Sequence, residues 1–143
     1  MLVAGRVGSA AEGVGVARGA MDMTVDYLKQ RKQFGKVIGS FQALQHRAAE
    51  LFCEVELCRS VVLEALSAVE ERRNDVPKLA SLAKARLAEA SRLITNEGLP
   101  MHGRIGTPPQ YDIGLFMKRA RVAAATLGDA NFHRNRYAEL DDY

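Results

Sequence analysis

Tyr27-Leu28-Lys29-Gln30-Arg31-Lys32-Gln33-Phe34-Gly35 and, a little further on, Phe41-Gln42-Ala43-Leu44-Gln45-His46 decide how this chain is read. Upstream of them, apolar or small residues recur at Val3, Val7, Ala10, Val14, Ala17, Met21, Val25 and Leu28, in steps of three and four. That is the stripe of one amphipathic helix, and it predicts a helix over 3–33. Gly35 is the expected stop, because glycine takes a left-handed turn without steric cost. Ser40 is placed to cap the next helix. Downstream, Phe41, Leu44, Ala48, Leu51, Val55, Cys58, Val62, Ala65 and Val69 alternate steps of three and four, the pattern of coiled-coil-like packing, and predict a helix over 41–73.

Further outward, Asn74-Asp75-Val76-Pro77 reads as a tight connection, with Asp75 as cap and Pro77 in the first turn of a third helix. That helix is expected to run to about residue 96, with Leu79, Ala83, Leu87, Ala90 and Ile94 inside. Residues 98–109, rich in Gly and Pro, form the one real loop. A fourth helix starts near residue 110 and is amphipathic through Leu115, Phe116, Val122 and Ala123. Gly128-Asp129 bends or interrupts it before a last helical stretch with Tyr137 and Leu140. No segment shows strand alternation over a useful length. The fold class is therefore all-α: an antiparallel four-helix bundle with a short C-terminal helical extension, in a single domain over 1–143. Gly5, Gly8, Gly13, Gly15 and Gly19 are odd in a helix, where each costs roughly 1 kcal/mol against alanine. They point to close approach by another backbone or to a frayed start. Their spacing, with no strand before them, is not a dinucleotide fingerprint.

Composition narrows the function classes. The chain has 143 residues, enough for one domain with a real core, and is 48% hydrophobic and 26% charged. Its formal charge of +3 is spread over every segment and interleaved with acids, which suits solvated helix faces and not a nucleic-acid stripe. No apolar run approaches the ~20 residues of a membrane span, and the N-terminus does not read as a secretory signal. Cys53 and Cys58 read as buried thiols of a cytoplasmic protein. The histidines are His46, His102 and His133, and no Glu-x-x-His pair accompanies them, so no metal site is assigned. No Ser-His-Asp signature is present.

Four residues of the opening stretch carry chemistry. A guanidinium at Arg31, near a helix end, offers paired donors to a phosphate. Gln33 adds an amide donor, Phe34 an apolar wall, and Gln42 sits at a helix N-terminus, where an anion is favoured. Singly, these residues read as a solvated helix end with one buried Phe. Together, Arg-x-Gln-Phe-Gly at 31–35 and Phe-Gln-x-x-Gln-His at 41–46 resemble the junction of the first two helices in the C-terminal domain of acyl-CoA dehydrogenases. The resemblance implies that Arg31, Gln33, Phe34 and Gln42 contact the pyrophosphate and adenosine side of FAD.

Met101-His102-Gly103-Arg104-Ile105-Gly106 resembles the Gly-Gly-x-Gly loop of that family. There the loop backbone approaches the FAD of a neighbouring subunit, which implies cofactor contacts at Gly103, Arg104 and Gly106. Arg104 stands in place of the second Gly, and Pro100 where Gln is common. The alternative is a plain Gly/Pro connection between helices.

The family also needs a carboxylate to take the α-proton of the thioester. Most members place Glu before Gly in a Glu-Gly-Thr context. The matching run here is Thr126-Leu127-Gly128-Asp129, so that position holds Leu127. Other members place the base just before an Arg early in the first helix, and Gly5 stands there, before Arg6. No catalytic residue is assigned. Asp129 is either a displaced carboxylate or, as preferred here, a helix cap after Gly128.

The resemblance spans Arg6 to about Tyr137. It implies FAD-dependent α,β-dehydrogenation of an acyl-CoA thioester, with this chain as a C-terminal domain, fragment or non-catalytic subunit that contributes to flavin binding and oligomerisation. The family's N-terminal helical and middle β domains are then missing. The implied partners are further copies or a companion acyl-CoA dehydrogenase subunit, acyl-CoA and electron-transfer flavoprotein, in the cytoplasm. The empty base positions also resemble subunits of heteromeric actinobacterial enzymes, some acting on steroid side-chain thioesters, in which one partner carries the base. The competing class is a helical-bundle assembly module without flavin.

Overall fold

Helix α1 (Leu2–Gln30) buries Val7, Ala10, Val14, Ala17, Met21 and Leu28 of the stripe read from the sequence, leaves Val3 and Val25 half-buried, and adds Ala20 and Thr24 to the same face. The computed structural model describes residues 1–102 and 109–141. α1 lies against α2 (Gln42–Glu70), α3 (Val76–Leu93) and α5 (Pro109–Ala125), and these four make the bundle. A one-turn helix α4 (Leu99–Met101) follows a π-helical turn at Ile94–Gly98, and α6 (Ala130–Glu139) packs on α3 as the C-terminal extension. Two core clusters run end to end along the bundle. One gathers Val7, Val14, Val62, Ala83 and Leu87, and the other Met21, Leu51, Val55, Ile94 and Met101. Burying each large aliphatic side chain contributes about 1.5–3 kcal/mol.

Small residues let the helices close up. A Cβ at Gly13 would lie 2.4 Å from Leu87 Cδ2, and one at Gly19 2.6 Å from Phe116 Cε1. Side chains of α3 and α5 enter α1 at these points, so the helical glycines answer a close approach by side chains and not by another backbone. Gly8 and Gly15 face open space.

The structure corrects the first helix junction. α1 ends at Gln30, and Lys32–Gln33 (β1) pair antiparallel with Lys36–Val37 (β2) in a short hairpin. Its turn, Phe34-Gly35, has positive φ at both residues, 53° and 75°. That is the turn whose twist matches a tight hairpin, so Gly35 serves the hairpin and is not the stop of α1. Ser40 does not cap α2. Its hydroxyl donates to the Val37 carbonyl at 2.7 Å within a 3-10 turn, and Phe41 takes the N-cap position. Asp75 is the N-cap residue of α3, but its carboxylate is held by Arg73 at 2.6 Å and caps no helix N–H.

Candidate functional site

The hairpin forms one corner of the molecule. The Ile38 N–H donates to the Arg31 carbonyl at 2.8 Å, folding the loop back over the end of α1. The Gly39 backbone presses on Leu28, where a Cβ would stand 2.8 Å from the Leu28 carbonyl oxygen. Gln45 donates its amide to the Gly39 carbonyl at 2.9 Å and fixes the entry into α2. Phe34 and Phe41 meet edge to face, with centroids 6.2 Å apart, and the Lys36 ammonium lies 4.3 Å from the Phe41 ring centroid. Arg31, Gln33, Phe34 and Gln42 are all exposed on this corner.

Phe34 is 88% exposed. It is an outward side chain and not the buried Phe of a plain helix end, and it is held in a left-handed backbone conformation that costs a bulky residue about 1–2 kcal/mol. Among the described residues Arg31 has no carboxylate within ion-pairing distance, whereas Arg18, Arg47, Arg73, Arg86, Arg119 and Arg134 each grip one. A free guanidinium, an amide and an aromatic face on one rigid corner suit one side of a pyrophosphate-bearing ligand.

The second corner lies at the start of α1. A Cβ on Gly5 would stand 3.3 Å from Leu127 Cδ1, so the two positions where the family resemblance would put a base share one spot in space. Leu127 and Gly128 turn sharply between α5 and α6, with φ 63° and 120°. The Leu127 carbonyl accepts from His133 Nε2 at 3.2 Å and from Arg6 Nε at 3.4 Å. The Arg6 guanidinium also lies 5.4 Å from the Phe132 ring centroid. Asp129 is the cap of α6, accepting from the Phe132 N–H at 2.8 Å, as preferred from the sequence. Leu127 is 39% exposed and has no atom able to accept a proton.

Behind this turn sits Lys84, fully buried and without a carboxylate partner among the described residues. Its ammonium donates to the Ala123 and Ala124 carbonyls at 2.6 and 3.1 Å, and Ser9 Oγ adds a bond to the Ala123 carbonyl at 3.1 Å. These donors satisfy the open carbonyls at the end of α5, where a cation also suits the helix dipole. Burial pushes the Lys84 pKa down, and the Arg6 charge adds to this. Burial likewise lowers the His133 pKa. The bond to the Leu127 carbonyl opposes that shift, while the Arg6, Lys84 and Arg136 charges reinforce it. Sequence reasoning missed Lys84 and His133 as supports of the turn. Lys84 beside Ala83 on the inner face of α3 was the available signal.

Gly103, Arg104 and Gly106 lie outside the described residues. Just before them, His102 is buried, stacked on Tyr27 at 4.6 Å and within 3.1 Å of Thr24 Oγ1. His102 is thus anchored on α1.

Residues 1–140 match the family model described as acyl-CoA dehydrogenase, C-terminal domain. The chain belongs to the acyl-CoA dehydrogenase family. The acyl-CoA dehydrogenase IpdE2 of Mycolicibacterium smegmatis is 40% identical to it over 119 residues, covering 83% of this chain and 36% of the relative. The mitochondrial short/branched chain specific acyl-CoA dehydrogenase of Bos taurus is 34% identical over 135 residues, covering 94% and 31%. The solved structure of the Tcur3481-Tcur3483 steroid ACAD G363A variant superposes with a TM-score of 0.90 at 34% identity, covering 99% of this chain and 39% of that one. The chain spans about a third of the length of these acyl-CoA dehydrogenases. Its α1–α6 arrangement is the family's C-terminal helical domain, and the relatives are oxidoreductases of a flavoprotein family.

Proposed function

We propose that this domain serves FAD-dependent α,β-dehydrogenation of an acyl-CoA thioester by holding flavin and assembling subunits, and that it supplies no catalytic base. The observation that carries the reading is the hairpin corner: an outward Phe34 in a strained conformation beside Arg31, which has no carboxylate partner among the described residues. Arg31 and Gln33 would bind the pyrophosphate, and Phe34 and Gln42 the adenosine side. Gly103, Arg104 and Gly106 would add the backbone contacts to FAD that the family resemblance implies. When bound, the flavin supplies the hydride acceptor.

The two corners stand at opposite ends of α1, whose 29 residues span about 43 Å at the helical rise per residue. One chain therefore faces two separate centres, which supports self-association or pairing with a companion subunit. At the second centre Leu127 and Gly5 offer no proton acceptor, and the Asp129 carboxylate is committed to its cap. The proton-accepting carboxylate comes from the companion subunit. The relatives support an acyl-CoA substrate, with a steroid side-chain thioester as the narrower choice, and electron-transfer flavoprotein as the acceptor in the cytoplasm.

An assembly module without flavin is the second reading, favoured by the apolar pair at both base positions. Flavin absorbance decides between them. The chain alone is expected to bind FAD poorly, because the hairpin corner is open to solvent, and to bind it firmly with its companion. Arg31→Ala should then weaken FAD by ~1.5–3 kcal/mol, the range for a charged hydrogen bond. Unchanged FAD affinity in that titration removes Arg31 from the site.

A further inference from the structure

On the side of the α5–α6 junction walled by Asp129 and Ala130, α3, α5 and the first turn of α6 enclose an open groove of about 270 Å³ that the flavin reading does not use. Arg92, Arg121 and Asn96 line it together with Ser91 and a floor of small side chains, Ala88, Ala124 and Ala125. Among the described residues neither Arg92 nor Arg121 has a carboxylate within ion-pairing distance. This sets them apart from Arg18, Arg47, Arg73, Arg119 and Arg134. The one acid in the lining, Asp129, already accepts from the Phe132 N–H at 2.8 Å.

We propose that this groove binds a small organic phosphate, with the phosphoryl group between Arg92 and Arg121 and an apolar body on the alanine floor. Two guanidinium groups present planar forks that match phosphoryl oxygens, and their paired charge suits a phosphate monoester of about −1.5 to −2 at pH 7. Asn96 adds a neutral amide that can donate to an ester oxygen. The alanines Ala88, Ala124 and Ala125 present methyls, and the Ser91 hydroxyl beside them donates to the Ala120 carbonyl at 3.5 Å, so the floor takes an apolar face in preference to a sugar. At about 30 Å³ per water, the volume holds on the order of nine waters, which is the size of a ring bearing one phosphate.

The test is calorimetric titration of the purified chain at low salt with phenyl phosphate, inorganic phosphate and phenol. Phenyl phosphate is expected to bind at least tenfold tighter than either of the others. Arg92→Gln and Arg121→Gln should each weaken it about tenfold or more, with circular dichroism confirming an intact helical fold. Ala125→Leu, an exposed position, should fill the floor and weaken phenyl phosphate while leaving inorganic phosphate unchanged. Affinity should also fall between pH 7.5 and 5, as the ester loses its second charge near pH 6. Three results overturn the proposal. Equal binding of inorganic and phenyl phosphate, insensitive to Ala125→Leu, means an adventitious ion only. Binding that survives both arginine substitutions places the phosphate elsewhere. Loss of self-association in the arginine variants by sedimentation makes the groove an interface between copies. None of these measurements involves flavin, so this site and the hairpin corner stand or fall separately.

Discussion

Gly128→Ala tests whether the turn that carries position 127 is held as the structure indicates. Gly128 has φ 120°, a conformation that costs a residue with a Cβ about 1–3 kcal/mol. The new Cβ would stand 2.5 Å from Phe132 Cδ1 and 2.7 Å from His133 Nε2. Phe132 is partly exposed and can swing outward, but His133 is fully buried and cannot yield without breaking its bond to the Leu127 carbonyl. Losing that bond adds about 0.5–1.5 kcal/mol. The sum is a destabilisation of about 1.5–4.5 kcal/mol, or roughly 5–15 °C in Tm for a domain of this size. Gly15→Ala is the matched control. Gly15 lies inside α1 and faces open space, so alanine should stabilise by about 0.8–1 kcal/mol. Urea and thermal unfolding followed by circular dichroism should therefore move in opposite directions for the two variants. Proton NMR should also show the Gly5–Leu127 contact weakened in Gly128→Ala and kept in Gly15→Ala. A Gly128→Ala variant as stable as the parent, with that contact intact, refutes the reasoning.

Other consequences are testable on the same protein. His102 and His133 both have pKa values lowered by burial, so the unfolded chain binds protons that the folded chain refuses. Stability should fall as pH drops from about 6.5 through the lowered folded values, and His133→Gln should flatten part of that slope in urea titrations. The Cys58 thiol is pushed up to about 11, chiefly by burial, whereas Cys53 is exposed. A thiol reagent at pH 8 should label Cys53 and spare Cys58 until the protein unfolds, and equal labelling rates would contradict the packing of α2. Alkali should destabilise the fold between about pH 9 and 11, because only the unfolded Cys58 ionises in that window. Leu127→Glu places a carboxylate beside Gly5. In the flavin-loaded assembly with a companion whose own base has been removed, it should raise dye-coupled acyl-CoA oxidation by a factor of roughly 10²–10⁴. No gain, with flavin still bound, would show that position 127 does not face the thioester.

The helical stripes were legible in the sequence because period and burial are linked by helix geometry. Val7, Ala10, Val14 and Leu51, Val55, Cys58, Val62 face the core as their spacing requires. The family, too, was legible, because Arg-x-Gln-Phe-Gly and the downstream Gln are local motifs read in register. The cap at Asp129 followed from Gly128 before it. These features rest on residues close together in the chain, where one sequence is enough to define the geometry.

Only the tertiary structure decided the rest. Phe34 and Gly35 form a hairpin and not a helix stop because Lys32–Gln33 find partners in Lys36–Val37, and a cross-strand pairing leaves no period in the sequence. Gly13 and Gly19 are explained by Leu87 and Phe116, which arrive from distant helices. Lys84 is buried because the end of α5 presents open carbonyls to it across the bundle. Gly5 and Leu127 stand at nearly opposite ends of the sequence, and only the return of α5 along α1 brings them to one spot. Helix periodicity determined which face of each segment is buried. The identity of what fills that face, and hence the geometry of both corners, came from packing between segments that the local pattern does not encode.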